Sequence, residues 1–434
     1  MTEVLAGIIL IGGFIGLLIF KVPICFAMLL STLGSALVTG TNFSVMIRQM
    51  MDGANNFSLL SIPFFILMGE FMSAGEISDK IVNLANLAVG RFRGGLAYVN
   101  VLDSMFFGGI SGSAVADVSS LGSIVIPMMK NQGYDEDFAV GLTVTTACQG
   151  VLIPPSHNMV IYALSAGGVS IGTLFIAGLL PGIALGCGMI VMCMLMAKRF
   201  NFPKGTGVKK GEGWRVFLEG ILPMMTLVII MVGTGAGVFT ATESSAIACV
   251  YTMFLAMVLY RKVKIRDVGT VIKNSLKTLA IVMTLLATAK AFAYMMTELR
   301  IPAAISAGLL GISNNKYVLL LIINALLLVL GCFMDMAPLI TIMTPILLPV
   351  VTAVGVDPVH FGVVLIFNLA VGLCTPPVGS ALFVGCAIGK TPIERTAKNM
   401  LPLYAVMVVV LLLVTYIPDI ALFLPKMLMG YTPV

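Results

Sequence analysis

Long apolar runs, each bounded by short polar stretches, dominate the chain. Many exceed 18 residues without a charge, the length a helix needs to cross a bilayer. The pattern predicts ten crossings: 4–20, 24–40, 57–75, 138–168, 173–198, 217–234, 243–260, 278–298, 359–388 and 400–424. Two further stretches, 94–129 and 317–352, are too long for one crossing and carry glycines near their middles. Each is expected to be a re-entrant hairpin of two half-length helices. Such irregular backbone is tolerated only where protein or a cavity surrounds it. Segments 41–56 and 261–277 read as amphipathic arms. The N-terminal run lacks a small-residue cleavage site and is expected to be a first span.

Composition agrees. Hydrophobic residues make up 59% of the 434 and charged residues 10%; soluble domains sit near 45–50% and about 25%. A soluble enzyme, a disordered chain and a nucleic-acid binder are excluded. An outer-membrane barrel is excluded too, since it needs short alternating strands. The eight cysteines form no Cys-x-x-Cys pair and read as small buried helix residues. Two histidines without a ligand cluster argue against zinc or haem.

Charge placement gives the topology. With the loop holding Lys204, Lys209, Lys210 and Arg215 inside, all but five of the 25 Lys and Arg fall on the cytoplasmic side. The exceptions are Arg48, Lys290, Arg300, Lys316 and Lys426. Both termini then lie outside.

The second half echoes the first at one offset, 222 residues. Pro127 matches Pro349, Gly133 matches Gly355, Gly150 matches Gly372, and Pro154-Pro155 match Pro376-Pro377. Gly109 pairs with Gly331 and Ser113 with Asp335 at the same spacing. One half begins outside and the other inside, so the repeats are expected to be inverted, the signature of secondary transporters. The fold class expected is an all-α polytopic membrane protein with two hairpins and two Pro-Pro-broken helices. Its divisions are 1–56 (scaffold and arm), 57–200 (first repeat), 201–277 (cytoplasmic loop, scaffold and arm) and 278–434 (second repeat). The scaffold is expected to stay still while the hairpin-bearing halves move.

Candidate chemistry sits at the tips and breaks. The first tip, FGGISGSAVAD (107–117), faces the break Gly150 to Ser156. The second, LGCFMDMAP (330–338), faces Gly372 to Pro377. Proline removes a donor and frees upstream carbonyls, and a hard monovalent cation needs five or six oxygens. Two cation sites are expected, with sodium as the ion. Ser111, Ser113, Gly150, Val151 and Pro154 supply the first; Gly331, Asp335, Gly372, Thr375 and Pro376 supply the second. The alternative is that the prolines only kink packed helices.

No arginine clamp is available. Between Gly94 and Ala197 the only basic residue is Lys130, and between Tyr317 and Gly389 there is none. An anionic substrate would rely on half-helix N-termini, hydroxyls and bound cations. Expected contacts are Ser111, Ser156, Asn158, Thr375 and Ser380. Among the intramembrane acids, Glu70, Asp103, Asp117, Glu243 and Asp335, Asp335 is the stronger ligand candidate. Asp117 reads equally as a helix first-turn residue, Glu243 as a helix start, and His157 as a helix-start histidine.

At SIPFFILMGEFMSAG (61–75), NVLDSMFFGGISGSAVAD (100–117), MDMAPLITIMTPILLP (334–349) and the two Pro-Pro breaks, the sequence resembles the large membrane subunit of TRAP (tripartite ATP-independent periplasmic) transporters. The resemblance implies a sodium-driven importer of carboxylate-bearing solutes, such as C4-dicarboxylates or sialic acids, in the bacterial inner membrane, working as an elevator. It implies a separate small membrane subunit of about four helices and a soluble periplasmic substrate-binding protein. The family's tip serines fall on Ser111 and Ser113, its break glycines on Gly150 and Gly372. Ser156-His157-Asn158 departs from the apolar residues usual there. Two alternatives come from other classes. An intramembrane serine protease would use Ser111 in Gly-x-Ser-Gly with His157 as base; the mirrored second site has no such pair. An ion channel would not need two opposed tips. GCAIGKT (385–391) is one residue short of a phosphate loop, which excludes a primary pump.

Overall fold

The computed structural model describes residues 2–200, 202–205, 207, 211–313 and 315–433, without the side chains of Ile110 and Leu310. Lys209 and Lys210 of the expected cytoplasmic loop lie outside the described residues.

Among the described residues the regular elements are all helices, apart from one isolated bridge between Arg93 and Lys204. In chain order come α1 (Thr2–Ile19), α2 (Ile24–Thr39) and the amphipathic α3 (Phe43–Ala54). A 3-10 turn (Phe57–Leu60) leads into α4 (Ser61–Ala74), then α5 (Ile77–Val89). The first hairpin is α6 (Gly95–Ser111) and α7 (Ala114–Asn131); the first broken helix is α8 (Glu136–Leu152) and α9 (His157–Ala166). After α10 (Ile171–Arg199) come α11 (Gly213–Gly235) and α12 (Ala241–Phe254), which ends in a π turn (Leu255–Leu259). Then follow α13 (Ile265–Glu298), α14 (Ile301–Ile312) and the second hairpin, α15 (Lys316–Gly331) and α16 (Met336–Ala353). The second broken helix is α17 (Pro358–Leu373) and α18 (Ser380–Gly389), and α19 (Ile393–Asn399), α20 (Leu401–Tyr416) and α21 (Asp419–Met429) close the chain.

Three expectations need correction. The arm 261–277 and the crossing 278–298 are one 34-residue helix, α13, with no proline and a single glycine to interrupt it. The crossing 400–424 breaks at Ile417-Pro418 into α20 and α21, since Pro418 cannot donate to the helix before it. The hairpin legs are not half-length. They run 17, 18, 16 and 18 residues, about 24–27 Å each at 1.5 Å per residue. Two legs crossing or two legs returning leave the parity of the chain unchanged, so charge placement could not tell them apart. By length and apolarity, seven helices could cross a membrane, or up to nine if each bent pair forms one span, against ten expected crossings. The expected 24–40 is the 16-residue α2, and 359–388 is split between α17 and α18, both short.

At the centre lie the two broken helices. Every residue from Asp137 to Leu152 in α8 and from Val359 to Leu373 in α17 is buried. Each packs between the legs of its own hairpin, α8 against α6 and α7, α17 against α15 and α16. The two cross where Cys148 and Cys374 sit with sulfurs 2.9 Å apart, each thiol also donating to a carbonyl of the other helix.

The halves share local detail. Gly133 and Gly355 both turn at positive φ, and Asp135 and Asp357 both cap the following helix with a carboxylate oxygen. Glu76 and Arg300 both enter their next helix from the left-handed region, at φ 50° and 53°. Pro154-Pro155 and Pro376-Pro377 are both joined by cis bonds. A buried amide ties each first leg to its broken helix. Asn100 Nδ2 donates to Thr143 Oγ1 at 2.7 Å, and Asn368 Nδ2 donates to Asn324 Oδ1 at 2.7 Å.

Around this centre, α1 pairs with α2, and α13 packs on α2, α3 and α4. The helix α4 also rests on α12, which packs on α11. Thus α4 and α13 form the seam between the outer helices and the hairpins.

Candidate functional site

Each hairpin tip is pressed onto the break of its own broken helix. A Cβ on Gly108 would lie 2.1 Å from the Cα of Gly150, so only two glycines allow this approach. In the second half Gly372 meets Gly331, with a Cβ 2.6 Å from the Gly331 Cα. The contact therefore pairs Gly108, and not Gly109, with Gly331; the match of Gly109 is out by one residue. Gly109 instead faces Ile153, Leu227 and the Pro154 carbonyl. Gly112, at φ 61°, turns the first tip against Pro155 and Ser156.

Free oxygens gather there. Pro154 and Pro155 have no N–H for the carbonyls of Gly150 and Val151 four residues upstream. Pro376 and Pro377 do the same for Gly372 and Leu373, though the Gly372 oxygen accepts from Thr375 N at 3.0 Å. Val378 N donates to Cys332 O at 3.1 Å and ties the second break to its tip. Ser111 Oγ is held only loosely, 3.4 Å from the Ser113 carbonyl. Ser113 caps α7, its Oγ 3.4 Å from Ala116 N; Asp335 caps α16 through Oδ1, 2.9 Å from Met336 N. In each half the expected cation-site residues lie along the tip or the break it touches. Among the described residues no cluster of three or more His, Cys, Asp or Glu could hold a metal ion.

A cavity of about 650 Å³ opens at the seam between the tips and α4 and α13. Ser111, Ser113 and Asp335 line it, together with the first residues of α7, α9 and α16. Three helix N-termini therefore end at one space, a favourable setting for an anion. Among the described residues its wall holds two carboxylates, Glu70 and Asp335, but no lysine or arginine.

Of the expected substrate contacts, Ser111 and Asn158 line this cavity, and His157 lies beside them. Ser156, Thr375 and Ser380 do not. Ser156 is fully buried with its hydroxyl unpartnered, Thr375 Oγ1 donates to Val371 O at 2.8 Å, and Ser380 Oγ is also unpartnered. Glu243 is the helix-start residue expected, closing a capping box with Thr240. Asp117 is the first-turn residue of α7, yet it is buried with only the Ser104 hydroxyl beside it, and both oxygens of Asp103 are buried without a partner among the described residues. Sequence reasoning missed the wall from α4 and α13: Phe65, Ile66, Gly69 and Ser73 opposite Thr278, Ile281, Val282 and Leu285. Glu70 as an intramembrane acid, and the stretch 61–75 that carries the family resemblance, were the signals pointing there.

Residues 11–420 match the family described as "Tripartite ATP-independent periplasmic transporter, DctM component". The chain is 37% identical to the sialic acid TRAP transporter large permease protein SiaM of Vibrio cholerae, over 97% of this chain and 99% of that one. It is 34% identical to the C4-dicarboxylate TRAP transporter large permease protein DctM of Rhodobacter capsulatus, over 98% and 100%. It is 36% identical to the isethionate TRAP transporter permease protein DctMQ of Oleidesulfovibrio alaskensis, over 96% of this chain but 66% of that longer one. The fold is also similar to two solved transporters. These are Alcanivorax borkumensis YdaH (TM-score 0.64, 14% identity, 86% of this chain and 87% of that one) and Neisseria gonorrhoeae MtrF (0.60, 12%, 88% and 85%).

Proposed function

The chain belongs to the tripartite ATP-independent periplasmic transporter family as its DctM component, and from that premise we propose a sodium-coupled importer of carboxylate-bearing organic acids. The protein is a multi-pass membrane permease subunit and not an enzyme. The proposal adds sodium coupling, an elevator motion, residence in the inner membrane and termini on the periplasmic side.

One observation carries sodium coupling. The cavity at the tips offers three helix N-termini and hydroxyls, but its only formal charges are the negative ones of Glu70 and Asp335. A carboxylate entering it meets like charge unless cations are bound nearby. The freed carbonyls of Gly150 and Val151, with Ser111 and Ser113, are suited to one sodium ion. Gly331, Asp335, Gly372, Thr375 and Pro376 are suited to a second. Ser111, Asn158 and the start of α16 remain the favoured substrate contacts; Ser156, Thr375 and Ser380 would act from behind the wall.

The matching turns, caps and glycine contacts of the two halves support inverted repeats. The seam supports an elevator in which the hairpins and broken helices move as one body against α1–α4 and α11–α13. Tripartite assembly gives this chain a periplasmic binding protein and a small membrane subunit as partners. The third of DctMQ that this chain does not match leaves room for such a subunit within one polypeptide. C4-dicarboxylates and sialic acids, named in the relatives, are the first substrates to try.

The test is uptake into proteoliposomes holding this chain, its small subunit and its binding protein. A sodium gradient should drive uptake of a dicarboxylate or a sialic acid, and a potassium gradient should not. Equal uptake under both would end the sodium-coupled reading.

A further inference from the structure

A second pocket of about 320 Å³ lies along the same seam, beside α3, α9 and α16. Its wall from α13 includes Ala289, Lys290, Ala293, Tyr294 and Thr297. Subtracting 224 gives Phe65, Ile66, Gly69, Glu70 and Ser73, all of which line the larger cavity. The same offset relates Glu76 to Arg300, the two residues that turn out of α4 and α13 at positive φ. The preceding segments follow suit. Asp52, Asn56 and Leu59 line the smaller pocket, and Thr278, Val282 and Leu285 the larger, at an offset of 226. Each pocket thus takes the front of one segment and the back of the other. An inverted pair of segments crossing at the seam produces this, with one pocket toward each side of the membrane.

The two pockets differ in charge. Lys290 stands where the larger cavity has Ile66, and Tyr294 where it has Glu70. Lys290 makes no ion pair among the described residues; Asp52 is the one other charged residue of this wall. Lys290 also falls within the expected crossing 278–298, nearer its outer end, and among the few basic residues not placed on the cytoplasmic side.

We propose that the smaller pocket is the extracytoplasmic vestibule of the transport path and that Lys290 captures the substrate's carboxylate there. The inference rests on the importer reading above and on its orientation. Capture at Lys290 outside and an acidic wall inside would favour loading at one face and release at the other.

The test uses two membrane-impermeant thiol reagents of equal chemistry and opposite charge, sulfonatoethyl and trimethylammonioethyl methanethiosulfonate. They are applied from outside to right-side-out vesicles carrying the full chain with Thr297→Cys. Labelling of that residue is read by mass spectrometry, against the chain without the substitution. Thr297 is exposed and lies two turns beyond Lys290, about 10 Å along the helix. The anionic reagent should react faster. Adding Lys290→Met should slow the anionic reagent about fourfold and speed the cationic one about fourfold, a fall of about sixteenfold in their ratio at low salt, the effect of one charge at that distance and an effective dielectric of about 40. Lys290→Arg should keep the ratio. A ratio that Lys290→Met leaves unchanged overturns the capture role and leaves the importer reading standing. No labelling in right-side-out vesicles, with labelling in inside-out vesicles treated the same way, overturns the orientation, and the vestibule with it.

Discussion

Gly108 and Gly150 touch backbone to backbone: a Cβ on Gly150 would lie 2.4 Å from the Cα of Gly108. This contact seats the first hairpin on the broken helix and fixes where the tip oxygens stand relative to the freed carbonyls. Both residues sit on packed backbone, so neither neighbour can yield. Alanine at either position should cost about 3 kcal/mol or more. Gly331→Ala, whose Cβ would lie 3.1 Å from Gly372 Cα, should cost less than Gly372→Ala at 2.6 Å. Thermal unfolding of the four variants in detergent orders them; a Gly150→Ala protein as stable as its parent would break the argument.

Sodium should stabilise the folded protein where potassium and choline at equal ionic strength do not. An ion that binds only the folded state adds about 2.7 kcal/mol at a hundredfold excess over Kd. Ser111→Ala and Asp335→Ala should each blunt the rise in melting temperature, since each removes an oxygen from one of the two proposed sites. Identical melting curves in sodium and potassium would leave the tips as packing turns.

Asp103 and Asp117 are buried; among the described residues neither oxygen of Asp103 has a hydrogen-bond partner, and Asp117 has only the Ser104 hydroxyl beside it. Holding an unpaired carboxylate out of water is costly. Asparagine keeps the shape and sheds the charge. Asp103→Asn and Asp117→Asn in sodium-free buffer at neutral pH should therefore melt at or above the parent temperature. A fall of several degrees in either variant would show that the carboxylate has a stabilising partner.

Asp137 is the opposite case. Its side chain is 3% exposed, yet Arg395 Nε lies 2.5 Å from Oδ2 and Thr396 Oγ1 donates to Oδ1 at 2.9 Å. These contacts pin α19 to the start of α8. Asp137→Ala should cost about 1.5–3 kcal/mol, the range for hydrogen bonds to charged groups. Asp137→Asn retains an acceptor for Thr396 and should cost less. Equal losses in the two variants would mean that the ion pair with Arg395 is the whole of the effect.

Much of this architecture is legible in the sequence because its signals are local. A run of apolar residues must become a helix when no water is present to satisfy its backbone. Proline removes a donor wherever it stands, so the two breaks could be located from Pro154-Pro155 and Pro376-Pro377 alone. Asp335 and Ser113 announce helix starts by residue type, and both are N-caps in the structure. The offset of 222 links the Pro-Pro breaks and Gly150 to Gly372 from the sequence alone.

What the sequence leaves open depends on direction. A helix buried on every side, as α8 and α17 are, has no solvent-facing polar stripe to say which way it points. Nothing local therefore separates Ser111 and Asn158, which face the cavity, from Ser156 and Ser380, which do not. A one-residue shift between Gly108 and Gly109 leaves the pattern intact and changes which glycine meets Gly150. The unbroken course of α13 and the two pockets along its length likewise emerge only when distant segments pack. The sequence by itself determined the helical character of the chain and its two Pro-Pro breaks, because each follows from backbone chemistry within a few residues. Tertiary structure alone decided which side chains share a cavity, because that depends on how helices more than 200 residues apart in the chain rotate against one another.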